Sequence, residues 1–310
     1  MKSKILKTIS FLLILLIILI VLSYITVPKN NSDEFGMESA TANGILGEKD
    51  NTIDVVVVGD SESFTSIIPM KLFKEYGITT YLCGTSGQSL PESLEFVYKA
   101  MKKQSPKLVI LEAHNIYTDV PITAPIAKVA QHILPVIKYH NRWKNLNTND
   151  FFEKVEYTWT DEQKGFYDTT NVKEADSSNY MTYSNKVASI PTENKLYVKA
   201  LNEYCKKNNA QLLILSTPST LCWNYEYHNG IEEFAKKEDI QFLDMNLEQE
   251  NLKIDWKKDT RDAGDHLNHF GAIKTTEFLG KYISINYKIE DHREDENYNK
   301  WKETLQRYTE

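Results

Sequence analysis

A serine, two histidines and two aspartates stand near opposite ends of this 310-residue chain, in settings that suit one kind of chemistry. Ser61 closes the run IDVVVVGDS, where continuous Val and Ile read as a strand buried on both faces that stops at Gly59 and Asp60. His266 lies in RDAGDHLNHFGA, with Asp262 and Asp265 just before it and His269 just after. A serine hydroxyl attacks a carbonyl only when a base takes its proton, and an imidazole base works only when a carboxylate orients it. Ser61, His266 and one of Asp262 and Asp265 are therefore the expected nucleophile, base and orienting acid of an acyl-transfer step. Gly-Asp-Ser after a strand is on its own an ordinary turn or helix cap. The histidine loop at the far end of the chain is what makes it a candidate site. The same residues show no helical His-x-x-x-His spacing and no cysteine ligand, so no metal is expected there, and no cofactor.

The elements that must bring these residues together alternate in type. After the first strand, TSIIPMKLFKEYG reads as a helix, ITTYLC as a strand, LPESLEFVYKAMKKQ as a helix and PKLVILEA as a strand. The alternation returns with NKLYVKALNEYCKKNNA, QLLILSTPS and GIEEFAKKEDIQFLDM, and GAIKTTEFLGKYI makes a last helix. This predicts an α/β fold: a parallel sheet with helices on both faces. Ligands bind beyond the carboxyl ends of such strands. Ser61, the 84–87 loop, residues 112–115 and residues 217–223 all follow predicted strand ends and fall on one rim, with His114 and Trp223 expected to line it. Residues of about 121–191 interrupt the rhythm and read as an insertion, with a helix near 126–137 followed by irregular, aromatic-rich chain. Its YHNRW stretch reads as packing more than as a sugar platform.

Composition sets the outer bounds. A net charge of −7 without a long basic run excludes a nucleic-acid footprint, and 41% hydrophobic residues suit one large packed unit with appendages. Three widely spaced cysteines make no disulfide framework, and Cys83 and Cys205 read as small packing residues. Lys2, Lys4 and Lys7 precede an uncharged apolar stretch that reaches Val27, about the 20 residues needed to span hydrocarbon. No small-residue cleavage site closes it, so residues 1–27 are expected to be an uncleaved membrane anchor with a cytoplasmic N-terminus and an extracytoplasmic remainder. Residues 28–51 read as a solvated linker, 52–288 as the α/β domain, and 289–310 as an acidic, solvated tail.

Taken together, VVVVGDSES and HLNHFG resemble the first and last conserved blocks of the SGNH or GDSL hydrolase superfamily. The longer segments from Ile67 to Ala113 and from Asp265 to Ile283 are similar to a membrane-anchored extracytoplasmic subgroup. That subgroup includes the teichoic-acid D-alanyl-transfer protein and polysaccharide O-acetyltransferases. The resemblance implies a three-layer sandwich around a flavodoxin-like sheet, Ser61 as nucleophile and His266 as base. It implies an oxyanion hole from the backbone N–H groups of Ser61 and Gly87, Gly84 being the neighbouring alternative. Asn115 would be a third donor, although the chain has LEAHNIY where the family carries Gly-x-Asn-Asp. The usual acid position, three residues before the histidine, is Ala263. Asp262 is preferred over Asp265, because an adjacent residue rarely turns back onto its neighbour's ring. The implied function is a serine esterase or O-acyltransferase. The implied partners are an acyl donor, a cell-envelope polymer or glycan acceptor, and a membrane-bound O-acyltransferase. The alternative is a catalytically degenerate binding or assembly protein at the cell surface.

Overall fold

The computed structural model describes residues 2–120 and 123–309. The first two residues of the expected insertion, Pro121 and Ile122, lie outside the described residues, as do both chain ends. The chain forms two compact units, one of Met1–Ala40 with Pro121–Trp159 and one of Thr41–Val120 with Thr160–Glu310.

The larger unit is built on five parallel strands: β1 (Val55–Val58), β2 (Thr80–Leu82), β3 (Leu108–Glu112), β4 (Gln211–Ser216) and β5 (Gln241–Asp244). Their spatial order is β2-β1-β3-β4-β5. This is the expected α/β architecture, and its strands are apolar because helices cover both faces. All four valines of β1 are fully buried. The helices Pro69–Tyr76, Leu90–Ala100, Thr192–Lys207, Tyr225–Glu238 and His269–Asn286 fall where the periodicity placed them. Leu90–Ala100 starts at a capping box in which Ser89 and Glu92 satisfy each other's backbone N–H groups.

The strand order has one consequence for function. The chain passes from β1 to β2 on one side and then crosses to β3 on the other, so β1 and β3 flank the topological switch point. Val58 pairs with Leu111 there, which sets the residues following both strands side by side. Gly59 makes the crossing tight. Its φ is +153°, and a Cβ at this position would overlap the Cβ of Glu112.

Two segments expected to be solvated are folded into this unit. Residues 41–51 bury Ile45 and Glu48, and residues 289–310 end in the helix Asn299–Thr309, whose Trp301 is buried against Phe73. Both meet Lys164, whose ammonium pairs with Glu48 Oε1 at 2.8 Å and lies 5.0 Å from the centre of the Trp301 ring. An acidic average concealed these contacts: a helix with one buried Trp keeps its charges outside.

The smaller unit contains the N-terminal helix Lys2–Thr26, long and apolar enough to cross a membrane or to serve as a signal sequence. The insertion's first part joins it, and the helix expected near 126–137 breaks into Ala124–Ile133 and Val136–Tyr139 at Pro135, which cannot donate a helical hydrogen bond. The second part, residues 160–191, belongs to the larger unit.

Candidate active site

Ser61 opens a short helix, Ser61–Thr65, directly after β1, and its side chain is partly exposed at the rim. His266 arrives from a loop closed by an antiparallel bridge between Thr260 and Leu267. At the tip of that loop Ala263 and Gly264 both take positive φ, +68° and +100°, the backbone of a tight two-residue turn. Gly264 is required for a second reason, since a Cβ there would overlap Thr220 Oγ1. The turn pairs Arg261 with His266 and lets the Asp262 side chain reach across: Oδ1 accepts the His266 backbone N–H at 2.7 Å and Oδ2 accepts the ring Nδ1–H at 2.6 Å. Held in this way, the ring presents Nε2 as its lone-pair nitrogen. Nε2 is buried and has no hydrogen-bond partner among the described residues. Burial alone would raise Asp262, but the two hydrogen bonds from His266 and the charges beside it hold its carboxyl below the usual range.

Asp265 stands 3.5 Å from His266 Nδ1 through one oxygen, while its other oxygen accepts from Cys222 Sγ at 2.8 Å. Cys222 was no part of the sequence expectation. It comes from the loop after β4, which docks on the turn through the Thr220 N–H to Gly264 O bond. Burial and the nearby carboxylates push its thiol up.

The residue facing His266 Nε2 is Glu62, at 3.9 Å. The Ser61 hydroxyl is also turned to Glu62, 3.4 Å from Oε2. Glu62 is buried beside Asp60 and Glu112, an acidic group the sequence did not announce because its members come from two separate strand ends. Burial, then the hydrogen bond and charge of Asp60, push Glu62 up to about 8. Burial and the charges of Asp60 and Glu62 also raise Glu112. Burial would raise Asp60 as well, but hydrogen bonds from His114 and Glu62 hold it down to about 2. Within the group Asp60 Oδ2 pairs with His114 Nδ1 at 2.8 Å, and its neighbours Glu62 and Glu112 are both pushed toward the protonated form. His114, expected to line the rim, is tied into this cluster and raised by it against the effect of its burial.

Glu62 has ligand-type neighbours on two sides, Asp265 with His266 and His114 with Cys222. A cation there would first have to displace the protons that Glu62 and Cys222 hold. The proton on Glu62 also has a measurable consequence. Its pKa is raised on folding, so the folded chain retains a proton that the unfolded chain loses above its ordinary carboxyl pKa. Stability therefore falls as pH rises from about 4.5 to about 8. In chemical melts at pH 5 and pH 8, Glu62→Gln should shrink that fall by a few kcal/mol at most, with the contribution of Glu112 remaining. An unchanged pH dependence would place the ionised form of Glu62 in the fold.

The remaining expected residues divide. Gly84 packs on the Ser61 turn, where a Cβ would overlap Ser63 Oγ. Gly87, with φ +62°, stands in open space at the end of the same loop. Asn115 is fully buried and donates one amide hydrogen to Ser93 Oγ at 3.2 Å. Trp223 does not line the rim: it is buried against Tyr117, Tyr227 and Phe242, and its indole donates to Asp244 Oδ2 at 2.9 Å. A buried indole needs an acceptor, and the end of β5 supplies one. In its place, an open cleft of about 410 Å³ adjoins Asp262, lined by Phe64, Ser86, Tyr167, Thr169, Asn171 and Arg261. The Arg261 guanidinium lies 4.8 Å from the centre of the Tyr167 ring.

No family model matches the chain, and no curated protein matches it. Among solved structures it is similar to a lipase/acylhydrolase from Enterococcus faecalis at 9% identity, over 77% of this chain and 99% of that one, with a TM-score of 0.42. A GDSL-like lipase from Bacteroides thetaiotaomicron has 15% identity over 74% of this chain and 87% of that one, with a TM-score of 0.38. A psychrotrophic esterase from Pseudoalteromonas has 11% identity over 75% and 96%, with a TM-score of 0.39.

Proposed function

We propose that this chain is a serine-dependent acyl-ester enzyme of the SGNH type, an esterase or O-acyltransferase anchored at the membrane and acting on a cell-envelope polymer or glycan. The observation that carries the reading is the clamp on His266. Asp262 takes both the backbone N–H and the ring Nδ1–H, and leaves a buried, unpartnered Nε2 beside the residue that follows Ser61. A histidine kept only for packing has no need of a free ring nitrogen pointing at a serine-bearing turn.

In the proposed reaction Ser61 Oγ attacks the carbonyl of an ester or thioester while His266 Nε2 accepts its proton. The negative charge on the carbonyl oxygen falls to the backbone N–H groups of Ser61 and of Gly87 or Gly84. The imidazolium returns the proton to the leaving alcohol or thiol, and the acyl group stays on Ser61. Water or an acceptor hydroxyl, deprotonated by the same Nε2, then takes the acyl group and frees the serine. The Ser61 hydroxyl is turned to Glu62, so the Ser61 to His266 hydrogen bond has to form as substrate enters; catalytic hydrogen bonds are commonly long before then. Ser86, Thr169, Asn171 and Arg261 make the adjoining cleft polar, which suits a hydroxyl-rich acceptor and a short acyl group better than a long lipid chain. Anchoring is supported within the smaller unit, where Arg142 Nη1 donates to Thr26 O at 2.7 Å and Ser23 and Thr26 are buried. Cleavage after the helix would strip these partners away.

The turned Ser61 hydroxyl also favours a second reading, a non-catalytic binding or assembly protein. Exposure of the purified full chain to a fluorophosphonate separates the two. A single covalent adduct on Ser61, seen by intact mass and peptide mapping, is the expected result, and an unlabelled folded chain would leave the binding reading.

A further inference from the structure

We infer that the smaller unit carries a lipid-facing collar around the C-terminal end of the N-terminal helix, seated in the headgroup region of the bilayer; this rests on reading that helix as an uncleaved span. On the helix Ala124–Ile133, Ile126, Val129 and Ile133 are 74%, 59% and 68% exposed. Their spacing of three and four residues puts them on one face. Trp143 and Phe152, farther along the same segment, are 66% and 80% exposed. So many large apolar side chains left in water within one short segment mark an interaction surface.

The unit itself indicates the occupant. Ser23 Oγ accepts the Val136 N–H at 3.2 Å, Tyr24 OH donates to Glu153 O at 3.0 Å, and Arg142 Nη1 reaches Thr26 O. The collar is therefore tied to residues 23–26. Counted from Thr8, after the last N-terminal lysine, about 20 residues cross the hydrocarbon and bring those positions to its boundary. The collar thus continues the surface of the span at the depth where Trp side chains favour the interface.

The test uses the full chain reconstituted in phosphatidylcholine and phosphatidylglycerol vesicles, with and without lipids brominated near the headgroup. Bromine should quench up to roughly a fifth of the tryptophan emission through Trp143, one of five tryptophans. Trp143→Phe should lose that part of the quenching, and Phe152→Trp should add to it. Both positions are exposed, so neither substitution endangers the fold. Equal emission with and without bromine, in protein that stays in the vesicles through an alkaline carbonate wash, overturns the collar and leaves the span. Equal emission with cross-linked dimers assigns the face to a second copy of the chain instead. Release by carbonate overturns the span, and the collar with it.

Discussion

Ser61→Ala is expected to leave a folded chain that takes no fluorophosphonate label and turns over activated esters more slowly by on the order of 10⁴ to 10⁶, the scale seen when a nucleophile is removed from a serine triad. The reason for separate effects on folding and chemistry is local. The cap of the short helix is Asp60, not Ser61, and the Ser61 hydroxyl makes only the long 3.4 Å contact with Glu62. Its loss should therefore cost less than the roughly 1 kcal/mol typical of a capping serine. Thermal unfolding, ester turnover and intact mass after exposure to an activated acyl donor read the two effects independently. An Ala variant that still forms the adduct, or that works within a few-fold of the parent, would end the nucleophile assignment.

Asp262→Asn should lower turnover by about 10⁴, whereas Asp265→Asn should cost far less. An amide at 262 can keep one hydrogen bond to the His266 backbone through its oxygen. It cannot then offer a carboxylate to Nδ1, so the ring loses both the tautomer with a free Nε2 and the charge that stabilises the imidazolium. Asp265, 3.5 Å from Nδ1 and engaged by Cys222, lacks that geometry. The effect should concentrate in kcat, because neither carboxylate is proposed to bind the acyl group. The pH profile offers a second readout. Asp262 has a depressed pKa, so its stabilising contacts are present above the ordinary carboxyl range and are lost as the carboxyl protonates at lower pH. The Asn variant should lose that acid-side dependence of stability. A larger effect at 265 would reassign the orienting acid.

Several parts of this molecule were legible in the residues alone, each where a local rule left little choice. Continuous Val and Ile in β1 and the alternation of strand and helix led to a parallel α/β sheet, because those patterns bury well in no other layered arrangement. Asp262 could be preferred over Asp265 from the sequence, because an adjacent residue rarely turns back onto its neighbour's ring, but the positive-φ turn through Ala263 and Gly264 that brings Asp262 to His266 is seen only in the structure. Only the tertiary structure decided the rest. Asp60 and Glu62 follow β1 while Glu112 ends β3, and they meet because the strand order sets those two ends together. Trp223 left the rim because Asp244, at the end of β5, offered its indole an acceptor in the interior. Glu48, Lys164 and Trp301, far apart in the chain, turned an apparent linker and an apparent tail into packed structure. Periodicity and turn chemistry act over a few residues and can be read in order. Which distant groups meet depends on how the strands are arranged across the sheet, and that arrangement fixes where burial forces a polar group to find its partner.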